Sequence, residues 1–190
     1  MSHAPFDASH GLTFDLARGN VQGEGGSTRV ILPADVLATL LAAAGDDATR
    51  TAGSALGEAM GKRVASRLGE GPEGARAASL EGFAEHLGGE LALAGLGSLG
   101  LERWGRALVL VVDHAPLGPD GDALLGAVLA SALSAATARE VVTALLHRDG
   151  ARARFFAGSP VGVALLVDFL THGASWCDAL AKLHAERGEA

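Results

Sequence analysis

The 190-residue chain holds seven histidines, one cysteine and 22 acidic side chains, the types from which metal sites, nucleophiles and acid–base pairs are made. Spacing decides whether such groups converge. His172 and Cys177 are five apart, off the i,i+4 face that paired ligands use on a helix. His3 and His10 fall in an N-terminal tail, His114 follows Asp113 at a strand end, and His147 stands near Asp149 at a hairpin tip. His86 and His184 lie on helices among charged residues. A catalytic site needs several groups aimed at one place, and these are scattered. The chain shows no G-x-S-x-G, no Ser/His/Asp spacing and no paired-carboxylate motif. Ser159 in "GSPVG" reads as a helix cap, and Cys177 beside Trp176 reads as a small buried hydrophobe. A lone cysteine excludes an intrachain disulfide and a thiolate cluster. We therefore expect no catalytic residue, no metal and no cofactor.

Bulk properties narrow the partners. Net charge is −7, and the 15 basic residues are dispersed, so the footprint of a nucleic-acid binder is missing. Aromatics are 4% with no Tyr, which removes the usual platform for stacking bases or sugars. Hydrophobic residues at 48% over this length suit one domain with its own core. "MSHAPFDASHGL" lacks a basic n-region and an apolar h-region, so no secretory signal is expected and the cytoplasm is the default location. The stretch "LLGAVLASALSAATARE", 124–140, begins without charge but is too short and too rich in Ala, Gly and Ser for a membrane span. With Asp120 and Asp122 before it, it reads as a buried helix whose dipole is matched by acids.

These residues must be positioned by elements legible from periodicity. In 11–33, Leu12, Phe14 and Leu16 alternate, as do Val30 and Leu32, predicting two strands around the Gly-rich turn "NVQGEGGS". That turn lacks the Lys-Ser/Thr ending of a phosphate loop. Pro33 opens a helix that Gly45 stops; Asp46 or Asp47 caps a longer one to about Gly69. "GPEGAR" reads as a loop, and Ser79 caps a third helix carrying the stripe Leu80, Phe83, Ala84, Leu87 and Leu91. A hairpin follows, in which Leu108–Val112 is apolar throughout and should be covered on both faces. After the 124–140 helix, Asp149-Gly150 marks a second hairpin, and Gly173 interrupts a final helical region. Asp168, alone in an apolar run, must face solvent or find a partner. Helices and antiparallel hairpins in blocks indicate an α+β fold, with helices packed on an antiparallel sheet around a central apolar helix.

Two helices carry small residues four apart: Gly53, Gly57 and Gly61 on one, Gly126, Ala130 and Ser134 on the other. Mid-helix glycine costs about 1 kcal/mol against alanine, so a close backbone contact should offset it. These two faces are expected to pack on each other, within a chain or across a dimer.

The runs "LEGFAEHLGGELALAGLGSLGLERWGRALVLVVDHAP" and "GDALLGAVLASALSAATAREVVTALLHRDGARARFFAG" resemble the third helix and hairpin, then the central helix and terminal hairpin, of the 4-vinyl reductase domain. "GEAMGKRVASRL" looks like its second helix, and Ala138-Arg139-Glu140 fills the place of the family's "GRE". The resemblance covers about 11–158 and extends to the TRAPP small-subunit-like superfamily. It implies residues 1–10 as a flexible tail, 11–158 as the domain and 159–190 as a helical extension packed on it. It also implies a regulatory or scaffolding module, homodimeric, with an unidentified protein partner such as a signalling component or small GTPase. The alternative it implies is a sensor holding an apolar small molecule or acyl chain in an internal pocket. The family's metal-suited cysteines are replaced here by Asp120-Gly121-Asp122, Leu146-His147-Arg148 and Ala153-Arg154, so no zinc site is carried over. Candidates for the pocket or interface are Trp104, Phe83, Gly57, Gly126, Ala130, Phe169, Trp176 and Cys177.

Overall fold

Seven helices and two antiparallel sheets make up residues 5–69, 71–105 and 107–188, which the computed structural model describes. A small sheet of β1 (Leu12–Asp15), β2 (Asn20–Gly23) and β3 (Thr28–Arg29) comes first. Helices α1 (Ala34–Ala44), α2 (Asp46–Leu68), α3 (Pro72–Ala77) and α4 (Leu80–Leu93) follow. The main sheet, in order β4-β5-β7-β6, joins β4 (Ser98–Trp104) and β5 (Ala107–Asp113) to β6 (Val142–Asp149) and β7 (Arg152–Gly158). Helix α5 (Asp122–Thr137) connects the two hairpins, and α6 (Pro160–Thr171) and α7 (Trp176–Gly188) close the chain. The fold is α+β, and no helix among the described residues is long and apolar enough to cross a membrane.

The main sheet is covered on both faces, as the apolar run in β5 predicts. Leu110 and Val112 point into one core with Phe83, Leu87, Leu91, Leu125, Leu129 and Phe155. Val109 and Val111, on the opposite face by strand alternation, join Phe156, Leu166, Leu180 and Leu183 in a second core under α6 and α7. Ser79 and Ser159 cap α4 and α6 by accepting from the backbone N–H of Gly82 and Gly162. Gly173, at φ +86°, separates α6 from α7.

The glycines of α2 do meet α5, within one chain. A Cβ at Gly53 would stand 2.7 Å from the Leu124 carbonyl oxygen; at Gly57 and Gly61 it would collide with the carbonyls of Val128 and Ala132. The face they meet is therefore Leu124–Val128–Ala132, not Gly126–Ala130–Ser134. The latter face belongs to the sheet. Thr143 donates to the Gly126 carbonyl at 2.8 Å, and the Ser134 hydroxyl accepts from the Val141 N–H at 2.9 Å.

Four local expectations need correction. "NVQGEGGS" is not a hairpin turn: its first four residues are β2, and the chain reverses just before it, where Asp15 Oδ1 accepts from the Arg18 N–H and Gly19 has φ +65°. Val30 and Leu32 lie beyond β3 and are exposed, so their alternation reflects no sheet face. "GPEGAR" holds the short helix α3, for which Pro72 supplies a favourable first turn. Neither Asp46 nor Asp47 caps α2, since both lie inside it after Gly45. His3, with the rest of 1–4 and 189–190, lies outside the described residues. Within 5–10, Phe6 packs edge-on to His86, 5.9 Å between ring centres, and its N–H donates to Glu85.

Candidate functional site

Helix α2 presents a second face beside its glycines. Leu56, Met60, Arg63 and Arg67 recur at helical spacing, so one stripe runs from apolar to cationic along a single wall. That wall borders a cavity of about 520 Å³ between α1, α2, the end of α4 and the segment after β3. Apolar side chains such as Leu12, Leu32, Leu37, Leu93 and Leu96 line much of the rest. Charged groups share the lining: Glu24, Arg29, Arg63, Arg67 and Glu90.

Glu90 is only 3% exposed, on the buried side of α4 with Phe83, Leu87 and Leu91. An ionised carboxylate there requires partners. Arg63 donates to both Glu90 oxygens, Nε at 3.0–3.1 Å and Nη2 at 2.6 Å, in the forked geometry guanidinium favours. Arg67 Nη1 lies 2.7 Å from Glu90 Oε1, a charge contact rather than an aligned hydrogen bond. Arg67 Nη2 reaches Glu24. The Arg67 hydrogen bond holds the Glu24 carboxyl below the usual range. Burial works to depress Arg67, but the carboxylates of Glu24 and Glu90 outweigh it and raise its pKa. Arg67 also stands 4.9 Å from the Phe6 ring centre, and as the last-turn cation of α2 it suits the helix dipole.

Arg29 is different. Its buried Nε has no hydrogen-bond partner, and it forms no ion pair among the described residues. Gly23, paired in the same small sheet, makes room for it: a Cβ at Gly23 would lie 2.5 Å from that Nε.

None of the eight candidates from sequence lines this cavity. Phe83 is in the first core and Gly57 in the α2–α5 contact. Gly126 and Ala130 are on the sheet side of α5, where a Cβ at Gly126 would meet Thr143 and Phe155 at 3.4–3.5 Å. Trp104 and Trp176 are brought together edge to face on the opposite flank, 4.8 Å between centres. There the Trp104 indole N–H donates to Glu102, and Arg154 bridges Glu102 and the Trp176 face. Phe169 packs partly on the second core with Lys182 5.7 Å from its ring. Cys177 is exposed, not buried as its type suggests. Asp168 faces solvent, 3.4 Å from His172. His86, placed by sequence among charged residues, is buried. Two signals would have found the cavity: the apolar-to-cationic stripe of α2, and a glutamate at the core position of the α4 stripe.

No family model matches the chain, and no curated protein matches it. Among solved structures, the fold is similar to the crystal structure of the phenol-responsive sensory domain of the transcription activator PoxR with phenol. The TM-score is 0.53 at 14% identity, covering 93% of this chain and 92% of that one. The shared property is the mixed α+β architecture over nearly the whole of both chains.

Proposed function

We propose that this protein is a sensor module whose small-molecule ligand occupies the cavity between α1, α2 and the end of α4. The carrying observation is the cavity itself: about 520 Å³, apolar over much of its wall, with a cluster of charged groups in its lining. That combination is what ligand sites have in common. The fold-level likeness to a sensory domain supports the same reading. Of the two expectations drawn from sequence, the apolar-ligand sensor is thus favoured, and the scaffold acting through a small-GTPase partner gains no support. Binding in the cavity would bias α2 and the segment after β3, the walls a ligand touches.

Native mass spectrometry of the full chain, with thermal unfolding against a panel from phenol to medium-chain alcohols and acids, tests this. Mass action predicts a retained adduct or a rise in Tm that grows with the logarithm of ligand concentration, roughly 5–10 °C at a hundredfold excess over Kd. No adduct and no concentration-dependent rise with any compound would overturn the reading.

A further inference from the structure

The charged lining of the cavity is unbalanced among the described residues. Three guanidiniums, Arg29, Arg63 and Arg67, stand against two carboxylates, Glu24 and Glu90. Arg63 and Arg67 are engaged by Glu90, and Arg67 also by Glu24. Arg29 lines the same cavity and forms no ion pair among the described residues, its side chain given room by Gly23. Arginine is protonated at any ordinary pH, so the surplus positive charge is permanent. The same lining offers Leu37, Leu56 and Met60, the last two preceding Arg63 and Arg67 on α2.

We propose that the ligand is an amphipathic carboxylate, its apolar body against Leu37, Leu56 and Met60 and its anionic head accepting hydrogen bonds from Arg29. This rests on the sensor reading above and names the ligand class for that site. The α2 stripe sets the orientation, because its apolar residues precede its arginines by one to two turns along the same wall. A neutral head leaves the surplus charge uncompensated, and a cationic head is repelled.

Three octyl compounds with one tail and different heads isolate the term. Calorimetry of the full chain is run with octanoate, 1-octanol and octylamine, each below its micelle threshold, on the wild type and on Arg29→Gln. Circular dichroism and Tm confirm that the variant folds; Arg29→Lys serves in its place if it does not, with its shorter, unforked donor set. Octanoate should bind at least about tenfold tighter than octanol, weaken with added salt, and fall to the octanol level in the variant while octanol is unchanged. Equal binding of octanoate and octanol, tighter octylamine, or octanoate unaffected by the Arg29 change would overturn the head-group assignment and leave the sensor reading standing. Failure of all three octyl compounds also overturns it, and the phenol-to-alcohol panel then decides separately whether the cavity binds anything.

Discussion

At the residue scale, Glu90 carries the most consequence. A 3%-exposed carboxylate held by two arginines is a network that tolerates loss of neither sign. Glu90→Gln keeps the shape but leaves Arg63 and Arg67 facing each other over a neutral amide. Breaking a buried pair from one side costs about 3 kcal/mol. Urea denaturation should therefore show a lower midpoint at unchanged m, and a midpoint equal to wild type would contradict the network. From sequence, Glu90 is invisible to a search for His, Cys or paired-carboxylate motifs. Its partners lie 27 and 23 positions earlier, so only folding joins them. Arg29 is less visible still, since its importance lies in an ion pair it does not make among the described residues.

At the scale of elements, the two helices rich in small residues behave oppositely at glycine. Gly57→Ala places a methyl on the Val128 carbonyl, backbone against backbone, so the helices must part. A loss of roughly 2–3 kcal/mol is expected. Gly126→Ala meets Thr143 and Phe155 at ordinary contact distance and gains helix propensity, so stability should hold or rise by up to about 1 kcal/mol. Paired thermal melts of the two variants test the assignment, and equal losses would undo it. The sequence predicted the glycine contact from the cost of mid-helix glycine, but not its partner. Small residues line several sides of α5, and composition cannot tell a helix-facing side from a sheet-facing one. The main hairpins, the central helix and the both-face burial of β5 were legible because long periodic segments state their own exposure. The N-terminal sheet was legible only in part: the alternation found β1, but Phe14 within it and Leu16 just after it are 57% and 88% exposed, so it carried no information on burial.

Over the whole molecule, ion pairs fasten the small sheet to α2 and strand to strand across the main sheet. Glu24–Arg67 ties the small sheet's loop to α2, Glu102–Arg154 crosses the main sheet, and Asp113–Arg152 secures the end of β5. In each case the arginine hydrogen bond is the leading reason the carboxyl titrates below its ordinary value. Folded pKa values below unfolded ones mean these groups bind fewer protons in the native state. Their stabilisation is complete above the unfolded values, near pH 4–4.5, and is lost as pH falls through the lowered ones. Tm should thus be level down to about pH 5 and drop below pH 4, with Glu102→Gln flattening that acid limb. A melt series from pH 7 to pH 3 reads this directly; an unchanged limb in the variant would remove Glu102 from the account.

The interlock of α2 with α5 also acts on the cavity it never touches. Gly53, Gly57 and Gly61 each seat one carbonyl of α5, so α2 cannot turn about its axis without unseating all three. Its angular setting is indexed as a gear tooth is. Leu56, Met60, Arg63 and Arg67 are rigidly phased to that index. The order of apolar and cationic groups met on entering the cavity is therefore written on the adjoining face of the helix, by residues that have no side chains.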